Sequence, residues 1–147
     1  MFTHLLVPTD GSPASDRAVA CAAGLARSLG AQVTLFHAEA DALAALAGAA
    51  SVGAVGGSPE LQARLDEAAR QGLDHAEALV RAAGVACQRR ISTGSAPWQL
   101  IVQVAGEVGA DLIVMAQQHR GTIERLLAGS QTGQVLRHTR GALLVVH

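Results

Sequence analysis

Lysine is absent from this chain of 147 residues, and all 11 basic side chains are arginines. The absence of lysine excludes a Walker A phosphate loop, which needs a Gly-Lys pair, and it excludes a mechanism through a lysine Schiff base. The formal net charge of −1 gives no bulk positive charge for holding nucleic acid or an anionic membrane. We therefore expect neither nucleic acid nor a membrane as a partner.

Aromatic residues and cysteines are also scarce. Only Phe2, Phe36 and Trp98 are aromatic, although half of the residues are hydrophobic. Small aliphatic side chains must therefore fill the core, which suits close packing of helices on a sheet. Cys21 and Cys87 form no CxxC pair, and the N-terminus does not resemble a signal peptide. These features predict a cytoplasmic protein with two reduced, partly buried thiols.

The stretch from Ala42 to Pro59 contains no charged residue and consists mostly of alanine and glycine. It has too few large apolar side chains to predict a membrane span, so we expect a mobile loop over about residues 40–60. The histidines show no HxxxH or HxH spacing, and we therefore expect no metal site. His4 and His37 could lie side by side on adjacent strands, but histidines satisfied within the core are commoner.

Short apolar runs alternate with amphipathic segments along the whole chain. Strands are predicted at 2–8, 32–38, 85–91, 112–115 and 142–146. A helix is predicted in each interval, and the helix starts are indicated by Ser12, Ser58, Ser95 and Ser130. The apolar stripe of the long second helix begins at Leu61 and Leu65. This β-α-β-α-β-α-β-α-β order predicts one α/β domain, a three-layer sandwich whose five-stranded, mainly parallel sheet carries helices on both faces.

Ligands of such sheets bind beyond the carboxyl ends of the strands, where the winding direction reverses. The turns at this edge are predicted to start at Pro8, Ala38 and Ala116. Asp10 follows the first strand, and its carboxylate could accept hydrogen bonds from a ribose hydroxyl or an adenine amine, or could close its own turn through a backbone N–H. Gly129-Ser130 could present a helix N-terminus to a phosphate, or Ser130 could be a simple helix cap.

Four segments together resemble the universal stress protein family. They are "LLVPTDGSPASDRAV" near the start, "STGSAP" near position 95, "ADLIVMA" at 110–116 and "RLLAGSQTGQVLRHTRGALLVVH" at the end. The resemblance covers essentially residues 1–147 and is weakest over 40–60. It implies a single domain with the family's five-stranded α/β sandwich, and a homodimer that pairs through the last strand, 142–146. An exposed apolar edge there would favour aggregation unless a second copy covered it.

The resemblance also implies an adenine-nucleotide site. Its residues would be Pro8, Thr9, Asp10, Ala38, Met115, Ala116, His119, Arg120, Gly129, Ser130, Gln131 and Thr132. The first three would face adenine and ribose, and the backbone of Ala38 would meet the adenine edge. The turn at 116–119 and the start of the last helix would face the phosphates.

The chain departs from the family in its phosphate loop. Nucleotide-binding members carry Gly-x-x-Gly, nine further residues and then Gly-Ser or Gly-Thr, and the first two glycines fall here on Ala116 and His119. If position 119 requires positive φ, histidine costs on the order of 1–2 kcal/mol there. His119 and Arg120 could replace the lost backbone contacts to phosphate. We favour the alternative, in which the His119 side chain fills the phosphate cavity.

These observations predict a non-catalytic regulatory protein of the stress response. Its adenine-nucleotide cleft would take ATP or AMP, with Mg²⁺ accompanying ATP, and would have a degenerate phosphate loop. The alternative is a homodimeric interaction scaffold that binds no nucleotide. ATP hydrolysis is the least favoured reading, because no residue set for a positioned metal and a base is evident. We therefore expect no catalytic residue.

Overall fold

The computed structural model describes residues 1–40, 59–117 and 131–147. In these ranges the elements are β1 (His4–Pro8), α1 (Pro13–Leu29), β2 (Gln32–Ala40), α2 (Pro59–Ala82), β3 (Cys87–Gly94), α3 (Pro97–Val108), β4 (Leu112–Ala116), α4 (Gln131–His138) and β5 (Ala142–Val146). The alternation of strands and helices predicted from the sequence is confirmed. Residues 41–58, which make up most of the predicted mobile loop, lie outside the described residues, and α2 begins at Pro59.

The five strands form one sheet in the order β3-β2-β1-β4-β5, and every neighbouring pair is parallel. From β1 the chain winds outward through β2 and β3, then crosses back to β4 and continues to β5. The winding direction therefore reverses between β1 and β4. All carboxyl ends of the strands lie at the same edge of the sheet, as the sequence predicts for this α/β class.

Helices cover both faces of the sheet, and each face has its own apolar cluster. Leu5 and Val7 of β1 point into one cluster, together with buried residues of α1 and α2. Leu6, between them, points into the other cluster, which includes Phe36 of β2 and buried residues of α3 and α4. This alternation follows from the two-residue period of a strand, and it explains why the central strand reads as a continuous apolar run.

The start of α1 was predicted correctly, whereas that of α3 was not. Ser12 is the N-cap of α1, where its hydroxyl accepts a hydrogen bond from the backbone N–H of Ser15 at 3.2 Å. Ser95 does not cap α3: the N-cap is Ala96, which makes no side-chain cap bond. The reason is that Pro97, whose ring fixes φ at a helical value, occupies the first helical position and moves the cap to the residue directly before it.

Three further expectations need correction. Leu61 and Leu65 are 50% and 57% exposed, because the first buried residue of α2 is Ala69, a turn or more further along the helix. The turn expected at Ala38 does not form there, since β2 stays paired with β3 as far as Ala40. Cys21 lies exposed on α1 and is not partly buried.

The third strand is mostly exposed. β3 is an edge strand, and Ile91 on it is 45% exposed. Arg89 donates to the carboxylates of Asp74 at 2.6 Å and Glu77 at 3.1 Å on α2, so this arginine attaches the helix to the sheet edge. Across the three described ranges, no helix is long and apolar enough to cross a membrane.

Candidate functional site

A crevice opens between β1 and β4 at the carboxyl edge of the sheet. The two strands pair through Leu5 with Leu112 and through Leu6 with Ile113. Past these pairs β1 stays paired with β2 as far as Pro8, and β4 stays paired with β5 as far as Ala116, so the two strands part from each other. The crevice therefore lies where the winding reverses, as predicted for a ligand site of this fold.

The turn that follows β1 is held together by Thr9. The Thr9 hydroxyl donates to the hydroxyl of Ser15 at 3.1 Å and accepts the backbone N–H of Gly11 at 3.3 Å. The Thr9 carbonyl accepts a hydrogen bond from Nδ1 of His37 at 2.9 Å. Thr9 is buried, so its side chain lies inside the turn.

Asp10, the next residue, is exposed at the mouth of the crevice. One carboxylate oxygen accepts the backbone N–H of Ser12 at 2.9 Å, so the turn-closing role that the sequence suggested is present. Burial by itself would raise the pKa of Asp10, but hydrogen bonds from Ser12 and Ser15 outweigh it and hold the pKa below its usual value. The group is therefore an anion at neutral pH, and a carboxylate can accept several hydrogen bonds at once.

Two of the expected site residues form part of the sheet face that carries α3 and α4. Met115 is buried in the cluster with Leu6 and Phe36, and Ala38 packs against the same cluster. Ala116 is half-buried and packs against the opposite cluster. Ala38 and Met115 thus supply apolar side chains on this face of the sheet, on either side of β1, whereas Pro8 ends β1 and Asp10 lies on the turn that follows it.

The start of α4 is attached to α3. The side-chain oxygen of Gln131 accepts the backbone N–H of Trp98 at 2.8 Å, in the first turn of α3. The Trp98 ring lies 4.5 Å from the ring of His138, at the end of α4. Gln131 therefore directs its side chain to α3, while Thr132 is half-buried in the first turn of α4. The Trp98 ring therefore packs against α4 and helps to hold the two helices together.

His119, Arg120, Gly129 and Ser130 lie outside the described residues. The choice between a phosphate-binding and a cavity-filling His119 therefore stays a prediction. Within the described ranges, no group of three or more His, Cys, Asp or Glu side chains could hold a metal ion.

His4 and His37 are not neighbours. The His4 ring bonds Thr34 at 2.8 Å and is satisfied in the core, whereas His37 is paired with Ile91 of β3. The contact of His37 with the turn after β1 was not predicted from the sequence. The available signal was its position directly before Ala38, which the resemblance places at the adenine edge.

Comparison with known proteins identifies the family. The family model described as "Universal stress protein family" matches residues 1–147. A universal stress protein solved in complex with cAMP is 27% identical, with a TM-score of 0.75 over 99% of this chain and 97% of that one. A member of the family from Burkholderia pseudomallei is 26% identical, with a TM-score of 0.75 over 99% and 96% of the two chains.

A third solved structure, the Archaeoglobus fulgidus universal stress protein in complex with dAMP, is 21% identical and has a TM-score of 0.69 over 100% of this chain and 98% of that one. At this identity the likeness shows the fold. No curated protein matches the chain. The chain belongs to the universal stress protein family, and its five-stranded α/β sandwich is the fold of these neighbours.

Proposed function

We propose that this protein is a non-catalytic regulator of the stress response that binds an adenine nucleotide, ATP or AMP, in the crevice between β1 and β4. The observation that carries the proposal is the position of the ionised Asp10 carboxylate at the mouth of that crevice. Ribose hydroxyls are donors that a carboxylate accepts well, and charge-assisted hydrogen bonds are the stronger ones. The complexes of two neighbours with cAMP and dAMP support the choice of an adenine nucleotide.

The apolar side chains of Ala38 and Met115 suit a purine ring, which is planar and largely apolar on its faces. Pro8 and the main chain of Thr9 would border the sugar. The phosphates would meet the 116–119 turn, Arg120 and the 129–132 segment, where Ala116 and His119 replace the family's glycines. The side chains at these two positions would hold the phosphates away from the backbone N–H groups. We therefore expect the adenosine half to supply most of the affinity.

The proposal is tested by isothermal titration with AMP and with ATP, in the presence and absence of Mg²⁺. We expect binding of AMP, with a smaller gain from the additional phosphates of ATP than a glycine-lined loop would give. Asp10→Ala should weaken AMP binding about tenfold or more, because charge-assisted hydrogen bonds contribute roughly 1.5–3 kcal/mol each. The matched control is Asp66→Ala, which removes a carboxylate on α2 that accepts a hydrogen bond from the side-chain amide of Gln62 at 2.7 Å. A flat trace with both nucleotides would exclude the nucleotide site.

The second candidate is a homodimeric scaffold, and the outer edge of β5 favours it. Among the described residues no strand pairs with that edge, although Leu143 and Val145 on it are only half-buried. Unpaired apolar edges invite pairing with another chain. A second copy would add its β5 antiparallel about a two-fold axis and extend the sheet across the dimer. Two free thiols, Cys21 and Cys87, fit the reducing cytoplasm in which we propose that it acts.

A further inference from the structure

We infer that His37 is a positioning residue for the proposed nucleotide site: it fixes the turn that presents Asp10 and so sets the preference for the ribose hydroxyls. The inference rests on the proposed function. His37 lies on β2, is half-buried, and reaches the Thr9 carbonyl with Nδ1 at 2.9 Å. A carbonyl oxygen only accepts, so Nδ1 carries the proton in this contact.

The main chain of Thr9 is attached to β2 at two points. Its N–H donates to the carbonyl of Phe36 at 2.8 Å, and its C=O accepts from the side chain of His37, the next residue along β2. The first bond is an extension of the strand ladder that any sequence could make. The second bond requires a donor side chain at position 37. His37 therefore supplies the sequence-specific part of this attachment.

The rest of the turn is held against other elements. Gly11 has φ +76° and lies against the backbone of Gly72 on α2, where a Cβ built on Gly72 would be 3.2 Å from the Gly11 Cα. The Thr9 hydroxyl bonds Ser15 of α1. With α1 and α2 fixing the far side of the turn, the bond to His37 determines how the near side, which carries Asp10, faces the crevice.

The orientation of the Thr9–Asp10 peptide determines where the Asp10 carboxylate points. Hydrogen bonds weaken steeply as their angle departs from linear, so a carboxylate recognises ribose hydroxyls only when the peptide before it is correctly oriented. The Thr9–Asp10 peptide contains the carbonyl that His37 holds. Loss of that bond would let the peptide rotate and turn the carboxylate away, and the remaining contacts to the base would be affected less.

The test compares AMP with 2′,3′-dideoxy-AMP, which lacks both ribose hydroxyls, by isothermal titration. We expect wild-type protein to bind AMP about tenfold more tightly than the dideoxy nucleotide, the difference that one or two hydrogen bonds contribute. In His37→Leu the ratio of the two affinities should fall towards one. In His37→Asn it should be retained, since the asparagine amide can donate from nearly the position of Nδ1. A general loss of stability would weaken both ligands equally, so their affinity ratio isolates the positioning role. An unchanged ratio in His37→Leu would overturn the inference.

A second measurement needs no ligand and separates this inference from the proposed function. The backbone N–H of Ser12 bonds the Asp10 carboxylate, and its hydrogen exchange reports the state of the turn. We expect exchange at Ser12 to accelerate several-fold in His37→Leu and to stay near the wild-type rate in His37→Asn, while exchange at Val114 in β4 is unchanged. If wild-type protein binds no nucleotide but Ser12 responds in this way, the proposed function fails and the control of the turn by His37 stands. If Ser12 does not respond, the inference is wrong.

Discussion

Gln131 at the start of α4 caps α3: its side-chain oxygen accepts the backbone N–H of Trp98 at 2.8 Å. The N-cap residue of α3, Ala96, has no side chain that could do this. The first N–H groups of a helix have no partner within the helix, so a donor left unpaired there destabilises it. A residue of α4 therefore caps α3. That residue, Gln131, directly follows Ser130, which is predicted to bind phosphate.

Replacement of Gln131 by alanine should lower the free energy of unfolding by about 1 kcal/mol, as the loss of a helix cap does. Urea denaturation followed by circular dichroism measures the change. Gln99→Ala, at an exposed position in the first turn of the same helix, is the matched control and should stay within about 0.5 kcal/mol of wild type. Equal stability of the two variants would show that the cap contributes nothing.

Two helical glycines should respond in opposite directions to alanine. Gly24 on α1 has open space where a Cβ would lie, so Gly24→Ala should stabilise the protein by about 0.5–1 kcal/mol. At Gly72 the new Cβ would lie 3.2 Å from the Gly11 Cα, in a turn held by Thr9 and His37. Gly72→Ala should therefore be less stable than wild type despite the same gain in helix propensity. Thermal denaturation of the pair decides the point, and equal stabilisation would contradict the close packing.

Asp111 should make the protein sensitive to acid. Burial alone would raise the pKa of its carboxyl, but hydrogen bonds from the backbone N–H groups of Thr3 and His4 and from the Thr3 hydroxyl hold it below its usual value. Because the pKa is lower in the folded state, this stabilisation is present above the unfolded pKa and is lost as the pH falls through the folded one.

The measurement is the free energy of unfolding from about pH 5 down to about pH 2, the range in which a depressed carboxyl titrates. Wild-type protein should lose more stability over this range than Asp111→Asn, and the difference isolates Asp111 from Asp10, whose lowered pKa affects both proteins. Parallel curves would show that Asp111 does not stabilise the start of β1. Asp66→Asn serves as the control and should follow wild type.

Restoring the family's glycines should strengthen phosphate binding. The double variant Ala116→Gly with His119→Gly removes the proposed obstruction and allows positive φ, so ATP affinity should rise about tenfold, since the strain at one such position costs on the order of 1–2 kcal/mol. AMP, with fewer phosphates, should gain less. Titration of the double variant and of wild-type protein with the two nucleotides checks this. Unmeasurable ATP binding in the double variant would place the fault elsewhere in the cleft.

The proposed dimer depends on β5, and proline can test its outer edge selectively. Ala142 and Val146 direct their backbone groups to β4, since the N–H of Ala142 donates to Asp111 and the carbonyl of Val146 accepts from Gln117. Val145, one residue out of phase, directs its N–H outward. Val145→Pro should therefore leave the fold intact and give a monomer by light scattering at micromolar concentration. A monomeric wild-type protein would exclude the dimer.

The helices and strands could be predicted well from the sequence. The spacing of apolar residues, and the glycine or proline at the end of an element, are signals that lie within the element itself. The start of α1 at Ser12 and the end of that helix at Gly30, with φ 67°, are examples. The predictions were wrong where a residue distant in sequence determines the local structure. The cap of α3 comes from Gln131, and β2 continues past Ala38 because β3 pairs with it.

The site was predicted only in part for the same reason. The position of Asp10 after a strand is visible in the sequence, and so is the crevice that strand order implies. The bond from His37 to Thr9 joins residues 28 positions apart in sequence, and only the folded sheet brings them together. The resemblance predicts a set of site residues, whereas the contacts that hold Thr9 and Asp10 in place are seen only in the folded structure.

Trp98 is the single tryptophan of the chain, and it lies between the first turn of α3 and the final residue of α4. We expect its indole emission to respond to the imidazole of His138 beside it, and its main chain is bonded to Gln131, next to the predicted phosphate loop. The protein thus carries an intrinsic fluorophore at the boundary of its proposed ligand site. We therefore expect fluorescence of the unlabelled wild-type chain to report occupancy of that site.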